Sequence, residues 1–523
     1  MSVHSWRKVV LTIIFVILSI FYGVLFYQHA SFNSEMMFNV AHIKSLTNIF
    51  TSPINFDYWN HTGSQINLFS PWLTLLSGLP FLNLNVATGF TIYLTVITFL
   101  TFVSSYYYIN RFSNDIFESL LFSVIYTLSF NRFFLVFQQQ SLANYLAVIF
   151  LPMVYYGLYV ILHGQYRQWY ILAWGMSLIV WTAPYLAIAV TLTMIPLVIL
   201  TIFSKTSHSW SYWGKSLLAL LQATCLTVLV TLGFTAPLIE QQLQTKWRQV
   251  PIVNFDFVKW FKDFHLSKMQ LYALIAIAVL LGLLLILIFF QSHFAYKLIL
   301  LEMIPIVILV IGRYDPFEFD ISRLIFSFQS VLDFFLAMIV SRVVILIFQE
   351  APAIWKLVLV LAVTAACSGM IFQQATSLQP QTAVSENLQF DAKKVVRDFH
   401  DKVTKNGNQF LINERKAKVN FYTQKSDYWI QYYNPQATTM DLPIQNYAGY
   451  RITLNNEKVK IKTSPRQTIQ LQTNPGKNII EIHAQYTWIG ILALLINLFS
   501  FMLLGYLSIN KGFWTNKKNA HTS

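Results

Sequence analysis

Charge is scarce in this chain. Asp, Glu, Lys and Arg supply only 11% of its 523 positions, against 55% for hydrophobic residues. A soluble protein of this length must solvate far more surface than so few charges cover, which excludes an ordinary soluble enzyme. Cysteine is nearly absent too. The two present, Cys225 and Cys367, both fall in apolar segments, so neither a disulfide framework nor a cysteine metal site is expected. Solenoid-type repeats and low-complexity tracts are missing. Lys and Arg exceed Asp and Glu by 36 to 22, but they are scattered over loops and a C-terminal segment. No basic stripe forms, which excludes nucleic acid as the expected partner and favours anionic lipid or a phosphate-bearing substrate.

What the chain has is apolar runs of about twenty residues, the length a helix needs to cross a hydrocarbon core with its backbone satisfied internally. Spans are expected at Val9–Tyr27, Val86–Ile109, Ile116–Val136, Leu142–Leu162, Trp169–Thr182, Tyr185–Phe203, Ser216–Ile239, Leu271–Gln291, Tyr296–Gly312, Leu324–Phe348, Trp355–Gln374 and Thr487–Ser508, about a dozen in all. Pro184 divides what would otherwise be one overlong helix from Trp169 to Phe203 into a helical hairpin. The first run follows Arg7 and Lys8 without a clear cleavage site before Ser31 and reads as an uncleaved anchor. With the amino terminus inside, Arg111, Arg167, Lys205, Lys215, Lys297, Lys356 and the Lys-rich tail share the cytoplasmic side, and an even span count returns the carboxyl terminus there. The loop from Glu240 to Gln270, carrying five Lys and Arg, runs against this scheme.

The expected fold is therefore an all-α polytopic membrane domain over 1–376, an extracytoplasmic helix-plus-β domain over 377–486, and a final span with a basic tail over 487–523. Within the first domain the extracytoplasmic loop 28–85 has helical spacing from Glu35 to Phe50 and a short apolar stretch from Leu68 to Leu82, suited to helices lying in the interface. The 377–486 segment is predicted to open with an amphipathic helix, from the spacing of Leu388, Val395, Phe399 and Val403. It then alternates as a β-sandwich: a hairpin of Tyr450–Leu454 and Val459–Thr463, a strand Thr468–Gln472, and a turn at Asn474-Pro475-Gly476 into Ile479–Ala484.

Few residues offer chemistry. Glu35, at the outer end of the first span beside Met36 and Phe38, is placed where lost hydration raises basicity, as a general base requires; on this feature alone the plainer reading, an ordinary interfacial acid, comes first. The loop Asn55-Phe56-Asp57-Tyr58-Trp59-Asn60-His61-Thr62-Gly63 mixes aromatics with amides, as sugar sites and membrane interfaces both do. Inside the bilayer, Glu302 and Arg342 stand at similar depth and are expected to pair, while Asp333 has polar neighbours or a lipid or proton path as its options.

Glu35 with Phe38 and His42, Gly63 with Phe69-Ser70-Pro71, the Gln140-Ser141-Leu142-Ala143 entry to a span, and Asn446-Tyr447-Ala448-Gly449-Tyr450-Arg451 before the last helix carry a resemblance. In that order the chain resembles the bacterial membrane family labelled pyruvoyl-tetrahydropterin-synthase-related and the YfhO-like proteins, both similar to the GT-C glycosyltransferase superfamily. The family's first loop runs Asp-x-x-x-His-x-x-Arg; here those positions are Glu35, Asn39 and His42. The resemblance implies a bacterial plasma-membrane enzyme with both termini cytoplasmic. It would move a sugar from a polyprenyl-phosphate-linked donor to a cell-envelope glycan or lipid acceptor outside. Glu35 would be the base, with His42, Asn39, Asp57, His61, Arg132, Arg313 and Arg323 as substrate-binding candidates and Arg313 and Arg323 as the phosphate clamp. These arginines also read as partners of Asp315, Glu318 and Asp320, acids that on another reading hold a divalent cation. No resident cofactor or metal site is otherwise expected. A non-catalytic envelope scaffold and a lipid or polysaccharide transporter are the other two readings.

Overall fold

Along the long apolar runs among the described residues the backbone closes on itself as helix, because hydrocarbon offers no other partner to its N–H and C=O groups. A computed structural model describes residues 3–204, 210–244, 292–311, 321–378, 383–386, 390–396 and 409–520, with isolated positions between 272 and 283. Among these, nine helical segments are long and apolar enough to cross a membrane, the first Val9–His29 and the last Trp488–Asn510. Their outward positions carry bare apolar side chains, Ile13, Ile17 and Ile20 on the first and Leu498, Phe499 and Met502 on the last, as lipid-facing helices require. The expected span Leu271–Gln291 lies largely outside the described residues.

Local sequence sets the breaks. Helix Val86–Ser113 ends on Asn114 in the left-handed region (φ 54°), and Asp115 caps the next helix, Ile116–Thr127, by accepting the N–H groups of Phe117 and Glu118. The Trp169–Val180 and Pro184–Ser204 helices are separate, with the break just before the proline. The run from Leu142 to Leu162 is interrupted by a 3₁₀ turn at Val148–Phe150, ahead of Pro152. The short apolar stretch after Leu68 does not form one helix. It is a string of single turns, Ile66–Phe69, Thr74–Gly78 and Phe81–Asn83, punctuated by Pro71 and Pro80.

The expected Glu302–Arg342 pair is corrected. Arg342 Nη1 lies 3.1 Å from Glu118 Oε2, Tyr296 donates its hydroxyl to the other carboxylate oxygen, and the guanidinium sits 5.2 Å above the Tyr296 ring. Equal depth along two helices does not fix the direction each side chain faces, and Glu118 on a third helix faces Arg342. Asp333 follows the polar-neighbour expectation, accepting from Ser129 Oγ at 2.7 Å.

The C-terminal domain is a sandwich of two five-stranded sheets. Its strands are β1 Phe410–Ile412, β2 Arg415–Ala417, β3 Asn420–Gln424, β4 Asp427–Asn434, β5 Thr439–Gln445, β6 Tyr450–Leu454, β7 Glu457–Lys458, β8 Lys462–Thr463, β9 Thr468–Gln472 and β10 Gly476–Ala484. One sheet runs β2-β1-β5-β9-β8 and the other β3-β4-β10-β6-β7, all pairs antiparallel. The hairpin after β6 turns on Asn455 and Asn456, both at positive φ, and pairs only with Glu457 and Lys458; the chain then crosses so that Lys462 and Thr463 join the opposite sheet. The expected opening helix falls largely outside the described residues, and its described part is not helical throughout. Val384 N donates to Ala30 O at 3.0 Å, Ser31 bridges Ala383, and Val395 is extended (ψ 129°), so this stretch is tied to the end of the first helix in short turns. Leu388, Phe399 and Val403 lie outside the described residues.

Replacing Glu118 by Ala leaves the Arg342 guanidinium without its counter-charge, a loss of about 3 kcal/mol. Thermal unfolding in detergent should show a lowered transition for Glu118→Ala. A Glu118→Ala/Arg342→Met double variant should recover most of it.

Candidate functional site

The short helix Ser34–Ser45 starts where Asn33 accepts the Met36 N–H at 2.9 Å. One face of it, Met36, Val40 and Ile43, is buried in the helical core, which turns Glu35 and Phe38 outward. They form one wall of an open cleft with Ser34 and Met37. Phe390, Asp391, Lys394, Val395 and Val396 form the other, and the space between is about 1040 Å³ counted with its mouth.

The second wall is held by the tether to Ala30 and by Phe390 packing edge-on against Phe32 at 5.6 Å. Asp391 caps the 3₁₀ turn Ala392–Lys394, accepting from Lys393 N at 3.0 Å, and lies 3.3 Å from Lys394 Nζ. What desolvation there is would raise the Asp391 carboxyl, but the Lys393 N–H and the Lys394 and Lys393 charges outweigh it and hold the group below the usual carboxylate range. On the first loop, burial pushes the Tyr58 hydroxyl up, and the carboxylates of Asp57 and Asp391 push it further. Burial lowers Lys44 on the Ser34–Ser45 helix. The cleft thus offers the Glu35 carboxylate on a short helix, the Asp391–Lys394 ion pair across from it, and apolar side chains between.

The other anticipated site residues are placed elsewhere. His42 is buried behind Phe38, its ring 5.6 Å from Phe38 and 6.4 Å from Trp59. Asn39 donates to Gln140 O at 2.8 Å, and Gln140 in turn donates to Ser31 O, so this pair ties the first loop to the helical layer. Arg132 is buried within that layer, donating to Tyr145 O at 3.1 Å and to Thr98 Oγ1 at 3.5 Å. Arg323 stands in the first turn of the Ile321–Ile347 helix, its side chain outside the described residues, as is all of Arg313. The acids expected beside them, Asp315, Glu318 and Asp320, lie outside as well; among the described residues no group of three or more His, Cys, Asp or Glu could hold a metal ion.

Asp57 and His61 fasten the sandwich. Asp57 accepts from Thr423 Oγ1 and Lys425 N, each at 2.9 Å, and His61 Nδ1 lies 2.8 Å from Phe56 O and 3.2 Å from Thr423 Oγ1. The backbone joins in: Phe56 N donates to Lys425 O and Gln445 N to Thr62 O. Ile54, Phe56 and Leu68 of the first loop belong to the sandwich's own hydrophobic core. Gly63 sits at the tightest point, at φ +61°, where a Cβ would come within 2.8 Å of Tyr450 Oη and 2.9 Å of Phe56 and Ile444. Two separated motifs, around Gly63 and from Asn446 to Arg451, therefore meet at one seam.

Lys394 was missed because it stood inside a presumed helix, where a Lys pair reads as a solvated face; Asp391 two residues before Lys393 was the available signal, an Asx cap. Compared with protein-family models, with curated proteins and with solved structures, the chain matches none.

Asp57→Ala removes the acceptor of both Thr423 and the Lys425 N–H, at a cost of about 2 kcal/mol to the docked sandwich. Limited trypsin digestion should cut faster after Lys425 in this variant, while the helical region keeps its thermal transition.

Proposed function

We propose that this protein is an integral membrane glycosyltransferase of the GT-C type, with about twelve spans, lying in a bacterial plasma membrane with both termini cytoplasmic. In this reading the cleft and the sandwich face outward, and a sugar passes from a polyprenyl-phosphate-linked donor to a cell-envelope acceptor. The observation that carries it is the meeting of Glu35 and Lys394 across one open, apolar-walled cleft where the first helix ends. Glu35 takes the proton of the acceptor hydroxyl as that oxygen attacks the anomeric carbon. The bond from that carbon to the phosphate oxygen breaks, and the lipid phosphate departs as an anion that needs little acid help. Lys394, turning from its Asp391 partner, holds that anion in place of the arginines expected from the sequence, and Phe38, Phe390, Val395 and Val396 shelter the first isoprene units.

One observation favours a non-catalytic scaffold instead: Asn39, Asp57 and His61 spend their polar groups on holding the loop and sandwich together. Purified protein given a labelled polyprenyl-phosphate sugar separates the two. Transfer by the wild type, lost by about a hundredfold or more in Glu35→Gln at unchanged folding, supports the base assignment. Lys394→Gln should raise the donor KM about tenfold. Unaltered turnover in Glu35→Gln removes Glu35 as the base, and donor that binds without ever being consumed supports the scaffold.

A further inference from the structure

Helix Val86–Ser113 has 28 residues, a rise of about 42 Å, so Arg111 in its last turn stands at the far end of the helical layer from the first loop and its cleft. The Arg111 guanidinium lies 4.3 Å from the centre of the Tyr107 ring, and Tyr108, Tyr156 and Tyr170 are within reach of its charge. Three helices bring these rings together. Tyr156 comes from helix Leu151–Leu162 and Tyr170 from Trp169–Val180, and Tyr108 and Tyr170 pack on a small core of Tyr156, Val160 and Ile171. Within the described residues, neither the guanidinium nor any of the four hydroxyls has a hydrogen-bond partner. Asp115, the acid nearest in the chain, spends Oδ1 on the Phe117 and Glu118 N–H groups, and Glu118 itself answers Arg342.

A guanidinium with several phenol donors unspent around it, and no carboxylate paired to it, is a socket for an anion. Beside it is room for an apolar chain. Phe112 and Tyr156 also line a crevice of about 670 Å³, counted with its mouth, among Ile109, Tyr159, Phe334 and Phe335. The anion that suits both parts is a phosphodiester carrying a lipid chain. Free phosphate leaves the crevice unused, and a zwitterionic lipid brings a second cation beside Arg111. Arginine and tyrosine at a helix end also serve as plain interface anchors, which distinguish no headgroup, and that difference can be measured.

We infer that Arg111, with Tyr108, Tyr156 and Tyr170, binds the headgroup phosphate of an anionic phospholipid, one of whose chains lies in the neighbouring crevice. The site is separate from the Glu35 cleft and stands whether or not transfer occurs there.

Native mass spectrometry of the full-length protein in detergent, given equal amounts of phosphatidylglycerol and phosphatidylcholine, tests it. The first lipid bound is expected to be phosphatidylglycerol by about tenfold. Arg111→Gln should remove most of that preference, and Tyr156→Phe with Tyr170→Phe, which keeps both rings and loses two donors, should lower it several-fold. Lys356→Gln, an equal loss of charge in the first turn of helix Ala353–Ser377, should leave it unchanged. Glycerol phosphate, the headgroup without its chains, should compete about a hundredfold more weakly than the intact lipid. The inference is overturned by equal binding of the two lipids, by a preference that either site variant retains, by an equal loss in Lys356→Gln, or by glycerol phosphate competing as well as the lipid.

Discussion

Everything outside the helical layer depends on the burial of Ile54, Phe56 and Leu68 in the core of the β-sandwich. These three side chains belong to a loop more than three hundred residues earlier in the chain, and the sandwich's inner sheet faces close around them. Because apolar burial is non-directional, it alone would leave the two parts free to slide. Direction comes from the bonds around it: Phe56 N to Lys425 O, Gln445 N to Thr62 O, and the two Asp57 acceptances at the β3–β4 turn. Gly63 supplies the close approach that lets Tyr450 stack on Phe56 at 5.9 Å. The seam thereby fixes the loop that carries Glu35, and a second tether at Ala30 and Ser31 brings Lys394 to the same place.

The helical layer answers a different constraint. In a low-dielectric setting an isolated charge is expensive, and several of those present are given company. Glu118 meets Arg342 and Tyr296, and Asp333 meets Ser129. Arg132 spends donors on Tyr145 O and Thr98. These groups knit helices together, which is why the chain's conspicuous charges inside the bundle do not gather at the cleft.

Much of the helical layer was legible because a run of twenty apolar residues has one physical solution, and the breaks at Asn114-Asp115 and Pro184 were written in capping and proline chemistry. β6, β9 and β10 were legible from alternation and from Asn-rich turns. What the sequence concealed was everything decided by long-range contact. β4 escaped notice because Tyr428 to Tyr433 is aromatic on both faces, so no polar alternation shows. The helical spacing around Val395 does not set its backbone, which runs extended there after the 3₁₀ turn Ala392–Lys394. Glu118 carried no signal in the sequence, because its partner Arg342 lies 224 residues away. Asp57 and His61 have the composition of a sugar site and serve as a dock, a distinction that only the position of Thr423 reveals.

A carboxylate and an ammonium in one cleft matter only if the two walls hold still relative to each other, and the seam is what holds them. Hydrogen exchange on the full-length protein in nanodiscs measures this directly. The account predicts that the amides of Phe56 and Gln445 open together with the central β4–β10 ladder, at the same free energy. Fast exchange at Phe56 and Gln445 beside a fully protected β4–β10 ladder would contradict it, since loop and sandwich would then be separate units with no fixed cleft between them.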